Sequence, residues 1–92
     1  MTSVALYALS RGKGVPEPTR SALDRVRALV EDLRRQGQVT RIDEQRIGLE
    51  GETRLCVEFA DPEAARATIE RMRGIAREVE LLNVVEEPCP RR

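Results

Sequence analysis

Ninety-two residues carry sixteen acidic and sixteen basic side chains, with 40% of positions apolar and 35% charged. That is the balance of one globular domain rather than of a disordered or fibrous chain. Zero formal charge removes the broad positive field that nucleic-acid binders use for affinity, and any general pull toward an anionic membrane. Histidine is absent, which removes the commonest neutral-pH base, the commonest metal ligand and every His-based triad.

In chain order, Val4–Leu9 is an apolar run of strand length. It leads into Arg11-Gly12-Lys13-Gly14 and two prolines, Pro16 and Pro18. A helix is expected over Thr19–Gln36, because Ala22, Leu23, Val26, Leu29, Val30 and Leu33 form one apolar stripe. Thr19 or Ser21 is its expected cap, and Gly37 its expected end. Val39–Leu49 and Thr53–Phe59 read as a hairpin around Glu50-Gly51. In the second arm Leu55, Val57 and Phe59 alternate with Arg54, Cys56 and Glu58, the pattern of a sheet with one buried face. The first arm keeps no single alternation, and Gly48 suggests a bulge there. A three-residue loop over residues 50–52 would set Ile47 opposite Leu55, and a two-residue loop would set Arg46 there.

The run from Ala60 to Gly74 reads as a second helix, with Asp61 as N-cap, Pro62 at N1 and Glu63 complementing the dipole. A last strand is expected over Arg77–Glu87, stopped by Pro88. The domain is expected to span residues 1–87, with residues 88–92 as a short Pro/Arg tail.

The order β-α-β-β-α-β predicts an α+β fold, a ferredoxin-like sandwich with a four-stranded antiparallel sheet and two helices on one face. The first and third strands would be central. The stretch Leu55–Phe59 followed by Asp61–Ala65 resembles the third strand and second helix of the RNA-recognition motif, which shares this order. That family stacks bases on aromatics of its two central strands. Here Arg54 and Cys56 stand at the two exposed aromatic places of the third strand, and Tyr7 falls at the aromatic place of the first. The resemblance therefore speaks for the fold more than for the activity.

Candidate chemistry is sparse. The glycine-rich segment lacks the order of a phosphate loop, since Lys13 precedes Gly14 and the prolines before the helix have no N–H to donate. An anion or nucleic-acid site would use Arg11, Lys13, Arg54 and Tyr7, and would need those charges to converge at one end of the sheet. Cys56 and Cys89 are far apart in sequence and form no zinc-binding set, so reduced thiols in a cytoplasmic protein are expected. No cofactor or metal is implied, and no stretch has the length of a membrane span.

The last strand has apolar residues of both parities, Leu82 and Val84 against Val79, Leu81 and Val85. One set must leave the core. A second copy, a protein partner or the chain's own tail would cover the band thus exposed, with Cys56, Leu82 and Val84 as the interface residues. The expected role is a small non-catalytic binding or assembly module that self-associates or docks through its sheet face or edge. An RNA- or anion-binding module is the alternative, and a small ferredoxin-like enzyme ranks last.

Overall fold

The computed structural model describes residues 2–91. Its elements are β1 (Ser3–Ala8), α1 (Glu17–Arg35), β2 (Val39–Arg46), β3 (Thr53–Phe59), α2 (Pro62–Arg77) and β4 (Leu82–Val85). The fold is α+β, with one antiparallel four-stranded sheet in the order β2-β3-β1-β4 and β1 and β3 in the centre.

One parity of the central strands makes the core. Val4, Leu6 and Ala8 of β1 and Leu55, Val57 and Phe59 of β3 join Ala22, Leu23, Val26 and Val30 of α1, and Ala65, Ile69 and Met72 of α2. The alternation read in β3 thus has the expected sense, because successive side chains of a strand point to opposite faces. Leu82 and Val84 of β4 also pack on this core, whereas Val85 is exposed.

Helix ends follow local chemistry. The Asp61 side chain accepts a hydrogen bond from Ala64 N at 2.9 Å, with Pro62 opening the helix behind it. At the end of α1, Gln38 N bonds Leu33 O at 2.9 Å and Gly37 N bonds Arg34 O at 3.0 Å, with Gly37 at φ 83°. This is the paired pattern in which a glycine takes the left-handed turn after a helix. α1 starts two residues earlier than the stripe suggests. Pro16 is its cap, and no side chain caps it. Thr19 is fully buried and donates instead to Glu80 O, tying the start of α1 to the approach of β4.

Three expectations need correction. The bulge in the hairpin lies between Val39 and Arg41, not at Gly48. Neither short loop occurs: Glu44 faces Leu55, Arg46 faces Thr53, and residues 47–52 form a longer loop closed by Ile47 N to Glu52 O at 2.9 Å. Ile47 and Leu49 therefore leave the sheet, and Leu49 is fully exposed. The last strand is Leu82–Val85 rather than residues 77–87: α2 continues through Gly74 to Arg77, residues 78–81 turn the chain, and pairing with β1 stops at Val85.

The fourth correction concerns the thiols. Cys56 and Cys89 are joined in a disulfide, with Cα atoms 5.5 Å apart, and neither is free. Distance along the chain misleads here. Cys56 lies on the sheet face away from the helices, and the chain after β4 turns back across that face.

Two stability predictions follow from these contacts. The disulfide closes a loop between residues 33 apart, for which the chain-entropy model gives about 3–4 kcal/mol. Cys89→Ser should lower unfolding free energy by about that amount in denaturant titration, a loss within the ordinary stability range of about 5–15 kcal/mol. Asp61→Ala should cost about 1 kcal/mol in the same assay by orphaning the Ala64 N–H.

Candidate functional site

The sheet face away from the helices carries Ser3, Ala5 and Tyr7 of β1. Opposite them in register stand Glu58, Cys56 and Arg54 of β3, and Arg41, Asp43 and Gln45 of β2 pair with the same β3 positions. Antiparallel pairing puts directly opposed side chains within contact distance. This explains why Tyr7 meets Arg54, whose guanidinium lies 5.7 Å from the ring centroid, and why Arg41 meets Glu58 at 3.1 Å.

This face is covered by a strap, residues 86–90, that runs on from β4. Cys89 is buried against Ala5 and Cys56, with Tyr7 packed beside them in a small cluster separate from the main core. Side chains of the sheet hold the strap by its carbonyls. Ser3 Oγ donates to Glu87 O at 2.7 Å, Arg54 Nη2 to Pro88 O at 3.0 Å, and Arg41 Nη2 to Pro90 O. Pro88 and Pro90 flank Cys89, and proline favours an extended backbone that needs no ladder partner for its nitrogen.

One carboxylate is singled out. Glu87 Oε2 accepts from Tyr7 OH, from Arg54 Nε at 3.0 Å and from Arg54 Nη2 at 2.7 Å, while Arg54 Nε also lies 3.0 Å from the Tyr7 oxygen. The Arg54 side chain is only 12% exposed and that of Glu87 27%, so this is an ion pair largely removed from water. The Tyr7 hydrogen bond, followed by those from Arg54, holds the Glu87 pKa below the ordinary glutamate range against the opposing effect of burial. For Arg54 burial opposes the charge, but the bonds to Glu87 and Tyr7 outweigh it and raise the pKa.

The four residues read from sequence as one anion site separate into two places. Tyr7 and Arg54 converge under the strap. Arg11 instead pairs with Glu80 at 3.3 Å on the surface, and Lys13 is exposed beside it. Arg11, Lys13, Gly14, Pro16, Glu80 and Leu81 line an open depression of about 380 Å³. Gly12 and Gly14 take φ of 100° and 84°, and Gly12 N is held by Ser10 Oγ at 2.9 Å. Glycine is there for the left-handed turn it permits. Of the three interface candidates, Cys56 is fully buried under the strap and Leu82 belongs to the core, so neither offers surface; Val84 is half-buried.

Ser3, Arg41 and Glu87 were missed. Ser3 shares the parity of Ala5 and Tyr7, a signal that was present. The bulge beside Arg41 hides its parity, and the expected last strand over residues 77–87 takes in Glu87. Among the described residues, no group of three His, Cys, Asp or Glu side chains could hold a metal ion, and no helix is long and apolar enough to cross a membrane.

Because the folded pKa of Glu87 is lowered, its stabilising contribution is complete above the ordinary glutamate value of about 4.3 and is lost as pH falls through the lower folded value. Tyr7 is the only tyrosine and tryptophan is absent, so tyrosine emission reports this contact directly. Emission should change below about pH 4.3 and stay flat at higher acidic pH. Glu87→Gln should abolish the acid transition; its persistence in that variant would show that another group is responsible.

No protein-family model, curated protein or solved structure matches this chain, so its functional reading rests on its own residues.

Proposed function

We propose that the chain is a small non-catalytic binding or assembly module with the ferredoxin-like sandwich arrangement, and that it self-associates through the edge of β4. The order β4-β1-β3-β2, together with a core shared by both helices, supports the sandwich reading. The observation that carries the self-association reading is the contrast between the two sheet edges once the open face is taken by the strap. β2 is eight residues long and four of them, Arg41, Asp43, Glu44 and Arg46, are charged. Charge along an edge opposes pairing with another strand.

β4 has no charge in Leu82-Asn83-Val84-Val85, and Val85 is exposed. Leu9 N bonds Leu81 O at 2.9 Å, in line with the β1–β4 register of Ala8 with Leu82. Antiparallel alternation then turns the backbone groups of Asn83 toward β1 and those of Leu82 and Val84 outward. A second copy laid antiparallel on this edge would satisfy them by an isologous contact and extend the sheet to eight strands. Four residues give a short contact, which suits a weak, concentration-dependent dimer.

The RNA- or anion-binding alternative has less support. Tyr7 and Arg54 are the residues it would need, and both are engaged by Glu87. A cytoplasmic setting, where thiols are kept reduced, would make the Cys56–Cys89 link a transient one.

Sedimentation velocity should show a weight-average mass that rises with concentration, and Asn83→Lys with Val85→Lys should hold the chain monomeric with its circular dichroism unchanged. A wild-type chain that stays monomeric up to millimolar concentration would overturn the edge reading.

A further inference from the structure

The strap contacts have the character of ligand recognition rather than of sheet continuation. Three sheet side chains, Ser3, Arg54 and Arg41, bond the main-chain carbonyls of residues 87, 88 and 90, and one carboxylate is read by Tyr7 and Arg54 together. This is how a surface binds an extended peptide: carbonyl contacts grip the backbone, and one charged side chain supplies selectivity. The face is also separable from the fold. Ala5, Cys56, Cys89 and Tyr7 form a cluster of their own, whereas the sixteen-residue core on the helix side contains none of them.

We propose that this face is a docking site for an extended, acidic, proline-containing peptide segment of a partner protein, occupied in the disulfide-linked form by the chain's own residues 87–90 and opened by reduction of Cys56–Cys89. The reductant is a dithiol. Its thiolate attacks Cys89 Sγ, since Cys89 is 6% exposed and Cys56 not at all, and the Cys56–Cys89 bond breaks with Cys56 leaving as thiolate. The second thiol of the reductant then displaces Cys89, so that the protein gains two electrons and two thiols while the dithiol becomes a cyclic disulfide. The unlinked strap remains tethered through β4 and competes as an intramolecular ligand. A partner segment must therefore reproduce the carboxylate contact that Arg54, almost enclosed beside Tyr7, would otherwise lack.

Peptide is favoured over single-stranded nucleic acid by the charges on this face. Asp43 and Glu58 lie on it with Arg41 and Arg54, so there is no continuous positive track for a phosphate backbone, and Tyr7 is the only ring available for stacking. The proposal does not depend on the β4 edge, because its readouts are site-specific and independent of oligomeric state.

The test uses the full chain and the emission of Tyr7. Dithiothreitol should change that emission while far-UV circular dichroism is retained, and Cys89→Ser should show the same emission without reductant. An end-capped peptide of residues 85–90, with serine in place of the cysteine, should return the emission of the reduced chain to its linked-form value. The same peptide with glutamine in place of Glu87 should bind at least about tenfold more weakly, because the amide keeps an acceptor oxygen but loses the charge that the Arg54 guanidinium pairs with. Unfolding on reduction would overturn the proposal by making the link a structural staple. So would unchanged emission, equal affinity of the two peptides, or a response to a single-stranded oligonucleotide but not to the acidic peptide.

Discussion

The covalent link between Cys56 and Cys89 governs how this small sheet deals with water. Two helices can cover only one face of four strands, and the other face must be solvated or covered. Its centre here is Ala5 and Cys56, which offer water little beyond apolar surface and a sulfur atom. The disulfide draws the chain after β4 across that centre, where Pro88 and Pro90 keep it extended. Donors from Ser3, Arg41 and Arg54 then satisfy carbonyls that have no strand partner. A buried carbonyl without a donor costs more than a typical hydrogen bond contributes, so these side chains are what allow an irregular segment to lie flat on a sheet.

Covering the face redistributes what the molecule presents to others. The one tyrosine and, among the described residues, the least exposed arginine are turned inward, and the uncharged β4 is left as one of the two sheet edges. The remaining arginines are mostly in exposed pairs such as Arg20–Glu17, Arg34–Glu31 and Arg35–Asp32, whose net effect on stability is small. Other pairs link separate elements. Arg27 bonds both Asp24 and Glu44, tying α1 to β2, and Arg73 meets Glu86 at 3.0 Å where the strap leaves the sheet. For Arg27 the hydrogen bond to Glu44 is the largest influence, and it raises the pKa.

Element types were legible because each rests on a local pattern. The 3.6-residue stripe of α1, the Asp61-Pro62 start of α2 and the two-residue alternation of β3 are physical requirements written into neighbouring positions. Boundaries failed where two local rules compete. Gly74 reads as a terminator, but a glycine within a helix costs only about 1 kcal/mol, and Ile75 and Ala76 pack on the core beyond it. In the β2–β3 connection, Ile47 and Leu49 looked like strand residues by hydropathy. The bulge near Val39 fixes the register that leaves them outside.

Sequence by itself therefore determined the order of strands and helices, the buried parity of the central strands and the Asp61 cap of α2, since all three depend on residues within a few positions of one another. It also brought Tyr7 and Arg54 into one candidate site through the shared parity of two neighbouring strands. Only the tertiary structure decided that Cys56 meets Cys89, that Glu87 fills the Tyr7–Arg54 site and that Arg11 and Lys13 lie elsewhere. Those outcomes depend on the path of residues 86–90 after β4. Such a path is set by contacts between positions 33 to 84 residues apart, which leave no periodic trace in the chain.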